Sequence, residues 1–193
     1  AQRQKEFTAS FAHELKTPLT SVIGYADTLR SRTLPSEMQF EAANAIYTEG
    51  KRLERMSFAL LDLFALERSE PSFSRVQTGA LAASVQKSCE YRLARQKQSL
   101  QCDVEEAAVW GEPELLRTLL LNLLDNAQRH GEAPIEVRLT RLPEGVEIAV
   151  NDSGPTLPAG QSRRLFEPFY RPAATERNIG TGLGLSLVRQ IAR

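Results

Sequence analysis

Cysteine is scarce in this chain: Cys89 and Cys102 are the only two among 193 residues. Their separation fits neither a Cys-x-x-Cys pair nor metal-ligand spacing, and two cysteines make no disulfide framework. Free thiols in a reducing cytoplasm are therefore expected. An excess of charge of one sign is lacking too, since Lys plus Arg and Asp plus Glu both number 24. No net basic field is available to hold nucleic acid or a membrane surface, so any anion site has to be local. Long apolar runs are also missing. Leu119, Leu120 and Leu121 form one of the longest, against about 20 apolar residues for a helix that spans a bilayer. No signal peptide is read at the start, and a soluble piece is expected. What the chain does have is 41% hydrophobic residues, enough for packed cores in one large or two small domains.

The N-terminal third carries helical periodicity. Ala12, Leu15, Leu19, Val22, Ala26 and Leu29 step alternately by three and four, one heptad seam on a helix from residue 2 to about 32. His13 follows a seam residue by one position, so it flanks the seam and reaches solvent. Thr17 lies one turn further on the same face as His13, and Glu14 is the adjacent acid. Pro18 has no N–H for the carbonyl of Glu14, so the helix is expected to kink or loosen beside the histidine. After Leu34-Pro35, Ser36 and Gln39 read as a capping box for a second helix with its own seam, Ala42, Ile46, Leu53, Met56, Leu60 and Leu63. Two narrow seams bury poorly in a single hairpin and well in a four-helix bundle of two, which predicts a homodimer.

A polar, proline-containing stretch at 67–72 marks a boundary between a hairpin domain, 1–70, and a second domain, 71–193. The second domain reads as an α+β layer fold. Short strands are expected at Phe73 to Val76, Ser99 to Val104 and Val109 to Gly111, with a helix capped by Thr78 running to Lys97. Pro113 opens a helix to about Arg129, and Ile135 to Leu142 and Val146 to Asn151 form a hairpin around Pro143-Glu144-Gly145. On the Pro113 helix, leucines occupy one side, while Thr118, Asn122, Asn126 and Arg129 form a polar stripe on another. Amide oxygens suit Mg²⁺ and a guanidinium suits phosphate, although a solvated face has the same pattern. Gly180, Gly182 and Gly184 precede a last helix, whose N-terminus offers free N–H groups to an anion. No Gly-Lys-Ser/Thr follows, which excludes a Walker A loop.

The string His13-Glu14-Leu15-Lys16-Thr17-Pro18-Leu19-Thr20-Ser21 closely resembles the phosphoacceptor box of bacterial sensor histidine kinases. Leu121 to His130 resembles the N box of their ATP-binding domains, Leu165 to Arg171 the F box, and Gly180 to Gly184 a glycine box, all in the family's order. The resemblance implies a dimerisation and phosphotransfer hairpin followed by a two-layer α/β sandwich of the Bergerat type. It implies ATP and Mg²⁺ as cofactors, with Asn126 at the metal position. Asn122, Arg129, His130, Asp152, Gly154, Gly180, Gly182, Leu183 and Gly184 would contact the nucleotide, Asp152 accepting from the adenine amino group.

It further implies that His13 is the nucleophile, that Glu14 orients it and takes its proton, and that Thr17 positions water for dephosphorylation of a response-regulator partner. The implied setting is the cytoplasmic part of a membrane-anchored protein, with no nucleic acid and no membrane contact in this piece. Two departures stand out. Thr156 occupies the place of the second glycine in the family's Asp-x-Gly-x-Gly, and the family domain normally continues beyond the last glycine box for longer than this chain does. They motivate a rival reading as a nucleotide-binding dimer that acts as a docking scaffold or mainly as a phosphatase.

Overall fold

The computed structural model describes residues 2–68, 72–96, 98–156, 160–171 and 181–192. Helices α1 (Gln2–Ser31) and α2 (Ser36–Arg68) form the expected hairpin. Met56 is fully buried and Ala42 nearly so. Arg52 of α2 reaches across to Glu14 of α1 at 3.2 Å and along its own helix to Glu49 at 3.7 Å. This ion-pair group fixes the register of the two helices beside His13. α1 stays helical through Pro18, whose ring is buried. The expected capping box does not form in its usual shape. Gln39 turns its side-chain amide to the Leu34 carbonyl at 2.8 Å, and its backbone N–H donates to Pro35, because the helix already begins at Ser36.

Much of the hairpin's apolar surface remains uncovered in the single chain. Leu19, Ile23, Phe40, Tyr47, Phe58 and Leu61 are all exposed. Of these only Leu19 belongs to an expected seam; the other five lie beside the seams, so the single hairpin exposes more apolar surface than the two seams account for.

The second domain follows, with residues 69–71, inside the expected boundary, outside the described residues. Strand β1 (Ser74–Gln77) pairs antiparallel with β3 (Ala108–Gly111). A three-stranded sheet has the order β2 (Leu100–Val104), β4 (Ile135–Leu142), β5 (Gly145–Asn151), parallel and then antiparallel. Helix α3 (Thr78–Gln96) buries Leu81, Val85, Cys89 and Leu93, every fourth residue, against Ile135, Val137 and Leu139, every second residue of β4. Helix α4 (Pro113–His130) adds Leu120, Leu124 and Ala127 to the same core. The two periodicities thus meet in one apolar layer, as a two-layer fold requires.

Thr78 departs from its expected role as a helix cap. It is buried, and its hydroxyl donates to the carbonyls of Glu105 and Ala107 and accepts from the Ala107 N–H, so it ties α3 to the segment entering β3. Both cysteines are free thiols, Cys89 buried and Cys102 exposed. No described helix is long and apolar enough to cross a membrane. After β5 come a 3-10 turn (Arg164–Phe166) and helix α5 (Gly184–Ile191).

Candidate functional site: a cavity between the hairpin and the mixed sheet

Helix α4 begins with Glu112, whose carboxylate accepts from the Leu115 N–H, and with Pro113 in its first turn. Its leucine side is committed to the core, which turns Asn122, Asn126 and Arg129 to the opposite side. There they line a cavity of about 670 Å³ together with Asp125 and His130. Thr118, the first residue of the stripe, contributes its carbonyl, which accepts from Asn122 Nδ2 at 2.8 Å. Asp125 is shared by two guanidiniums, Arg129 at 2.6 Å and Arg92 at 3.1 Å. The i,i+4 Asp–Arg spacing carries this signal, yet Asp125 did not stand out from the sequence. Burial, and then the neighbouring Arg129, pulls the His130 imidazole below its ordinary pKa, and its Nδ1 is buried without a hydrogen-bond partner.

The end of α4 and the loop after β5 meet at two glycines. A methyl on Gly131 would collide with the carboxyl group of Asp152. One on Gly154 would lie 2.7 Å from Gly131 Cα and 2.8 Å from Asp152 Oδ1. The Gly154 N–H donates to that same Oδ1 at 2.8 Å, and Ser153 N–H donates to the Glu132 carbonyl at 3.1 Å. Asp152 is thereby held at the cavity wall by a turn that admits no side chain at 131 or 154. Thr156, in place of the family's second glycine, also lines the cavity.

The segment before α5 also lines the cavity. Gly182 has φ +68°, and a Cβ there would sit 2.8 Å from the backbone of Phe169, whose N–H donates to the Gly182 carbonyl at 2.8 Å. Phe169 itself has φ 65°. Gly184 faces Asn122, with 2.8 Å between a built Cβ and Asn122 Oδ1. Leu183 belongs to the expected contact set through its backbone alone, since its side chain is taken up by the core. It is fully buried in an apolar cluster with Leu187, packed by Phe7, Ala59 and Phe169, because the turn at Gly182 points the chain inward there. Gly180 lies outside the described residues.

From the F-box segment, Phe169 packs against Phe7 and Phe11 of α1, with ring centroids 5.4 and 6.0 Å apart. Arg164 stacks over Tyr170 at 4.3 Å. The hairpin also contributes directly to the cavity through Arg55, Phe58, Ala59 and Asp62 of α2. No local pattern could have identified these four, since only the packing of one domain on the other brings them there.

The other predicted residues lie elsewhere. His13 and Thr17 are exposed on α1, one turn apart, and Glu14 is half-buried against Arg52. None of the three lines the cavity.

A helical hairpin with a solvent-exposed imidazole is joined to an α/β domain with a glycine-pinched cavity, the two-domain build of a catalytic core. The chain belongs to the sensor histidine kinases: residues 3–69 match the His Kinase A (phospho-acceptor) domain, and residues 111–193 match the histidine kinase-, DNA gyrase B-, and HSP90-like ATPase domain. It is 33% identical over 198 residues to the signal transduction histidine-protein kinase/phosphatase MprB of Mycobacterium sp. (strain KMS). That match covers 98% of this chain and 38% of the relative, so the chain spans well under half the length of the curated relatives it matches.

Among solved structures, Acinetobacter baumannii histidine kinase AdeS superposes with a TM-score of 0.70 at 23% identity, covering 93% of this chain and 85% of that one. Histidine kinase ThkA, solved in complex with the response regulator TrrA, gives 0.72 at 20% identity, covering 86% and 50%. At these identities the likeness is one of fold.

Proposed function

We propose that this chain is the catalytic core of an ATP-dependent protein-histidine kinase of a two-component system, with 1–70 as the phosphotransfer hairpin and 71–193 as the ATP-binding domain. The observation that carries this reading is the cavity, in which one amide stripe, one carboxylate pinned by two glycines, and several cations converge. Asp152 supplies the acceptor an adenine amino group needs, while Arg129 and His130 supply donors for phosphate oxygens. The amide oxygens of Asn122 and Asn126 are hard neutral donors, a set that fits Mg²⁺ bound mainly through phosphates and water. Mg²⁺, when bound, would be held through Asn126 and would offset charge on the phosphates.

In the reaction, a neutral imidazole nitrogen of His13 attacks the γ-phosphorus in line. An N–P bond forms, the bond to the bridging oxygen breaks, and ADP leaves. Glu14, held by Arg52, orients the ring and accepts its proton. Because His13 is outside the cavity, transfer requires the ATP-binding domain to move on the hairpin or to reach a second copy's histidine. The exposed Leu19, Ile23, Phe40 and Tyr47 support a second hairpin completing a four-helix bundle. The phosphoryl group then passes to an aspartate on a response-regulator receiver domain. Thr17, one turn from His13, positions water when the same partner is dephosphorylated. The naming of MprB as both kinase and phosphatase supports the pairing of the two activities.

Incubation with labelled ATP and Mg²⁺ tests the reading. Acid-labile, alkali-stable label on the protein is expected. Nucleotide binding without any label would favour the docking scaffold or phosphatase that Thr156 motivates.

A further inference from the structure

Arg55 enters the cavity from the hairpin, the domain that the nucleotide reading does not otherwise use for binding. Its Nε and Nη2 are buried and have no hydrogen-bond partner. Most carboxylates near it are already engaged: Glu14 pairs with Arg52, Glu54 with Lys51, and Asp125 with both Arg92 and Arg129. Glu49 approaches Arg52 at 3.7 Å, and its Oε2 makes no hydrogen bond to Arg52 or Arg55. Asp62 shares the cavity but lies two turns along α2, roughly 10 Å of helix rise away. Burial, and after it the like charge of Arg129, pulls the Arg55 guanidinium below its ordinary range.

Arg55 is half-buried, and two of its three guanidinium nitrogens are withdrawn from water without an acceptor, a cost that an anion supplying acceptors removes. The cavity holds that place for one anion class in particular. Arg55 and Arg129 converge in it, while Asp152 stands on the wall formed with the loop after β5. A ligand with a base and a polyphosphate finds in this one cavity an acceptor for the base in Asp152 and guanidinium donors for the phosphates in Arg55 and Arg129.

We propose that Arg55 is a nucleotide-phosphate contact contributed by the phosphotransfer hairpin, so that a nucleoside di- or triphosphate bridges the two domains and holds them together. The proposal rests on the nucleotide reading of the cavity and adds a residue and a consequence to it. Binding becomes interdomain, and the nucleotide's phosphates set how firmly the ATP-binding domain sits on α2. Phe169 against Phe7 and Phe11 provides the apolar part of the same contact, and Arg55 with the phosphates the polar part.

The test is titration of the full chain with ADP, ATP and, by competition, adenosine, in wild type, Arg55→Met and Arg55→Lys. Methionine keeps the apolar stem that packs on the helix and removes only the cation. Affinity for ADP and ATP should fall about tenfold or more in Arg55→Met, as for a lost hydrogen bond to a charged group. Adenosine affinity should be unchanged, and Arg55→Lys should fall between the two. Without nucleotide, Arg55→Met should melt at or above the wild-type temperature, since two buried, unpartnered guanidinium nitrogens have gone. Equal phosphate-dependent affinity in wild type and Arg55→Met, an equal loss for adenosine, or a lower melting temperature in the ligand-free variant would each overturn the proposal. A wild-type chain that binds no nucleotide at all would overturn the nucleotide reading with it.

Discussion

Gly131 and Asp152 touch so closely that no side chain fits between the end of α4 and the carboxyl group that closes β5. The adenine end of the proposed site is therefore set by a glycine outside every glycine-rich stretch of the sequence. Gly131→Ala should push Asp152 off the cavity wall. Loss of a charged hydrogen bond lowers ATP affinity by about tenfold to a hundredfold, and calorimetric titration reads it. Unchanged affinity would mean that Asp152 does not need its present position.

Asp152→Asn and Asn126→Asp should both lose phosphohistidine label, for different reasons. The first removes the carboxylate acceptor, so it weakens binding of adenosine as well as ATP. The second puts a negative charge next to the phosphates and disturbs the Mg²⁺ position, so adenosine binding should survive. Normal nucleotide affinity in Asp152→Asn would argue against the adenine role.

His130 gives the fold a pH dependence of definite sign. Its imidazole titrates below the ordinary histidine value because it is half-buried beside Arg129. Between the native and unfolded pKa values the unfolded chain binds more protons, so stability rises with pH through that window. Denaturation midpoints should fall as pH drops below about 6.5, and His130→Gln should flatten that part of the profile. Bound phosphates would draw the imidazole back up, so nucleotide should reduce the acid sensitivity. A profile identical in wild type and His130→Gln would remove His130 from this account.

The proposed attack on ATP gives Thr17 no part. Thr17→Ala should keep autophosphorylation and slow dephosphorylation of a phosphorylated regulator by on the order of 10²-fold, the scale of a lost orienting or acid–base contact. Decay of the purified phospho-regulator with wild-type or variant protein plus nucleotide measures it. Equal decay rates would leave Thr17 a helix-surface residue, which alanine replaces without disturbing the helix.

What could be read in advance follows from the range of the interactions. The stripe of Asn122, Asn126 and Arg129 was legible because a helix with leucines on one side must turn these residues to another. Asp152 was legible from its place at the end of a strand before Ser153-Gly154 and from its likeness to the family's adenine-binding aspartate. The core of β4 was legible from a period of two, and Ala42 and Met56 of the second hairpin seam from steps of three and four. Gly131 was not, because its need for a missing side chain arises from a loop 21 positions further along the chain, at Asp152. Arg55 was not, because only the docking of one domain on the other brings it to the cavity. Leu183 sits in the glycine-box string but is drawn into the core by the turn at Gly182, and Thr78, suited to a cap, is engaged by the carbonyls of Glu105 and Ala107 instead.

The central claim is that His13, on one domain, receives the phosphoryl group from a nucleotide held by the other. Its most direct test is His13→Gln incubated with labelled ATP and Mg²⁺, with ATP affinity measured on the same preparation. The account predicts wild-type ATP affinity and no acid-labile label, because His13 lies outside the cavity. Undiminished acid-labile label in His13→Gln would contradict it.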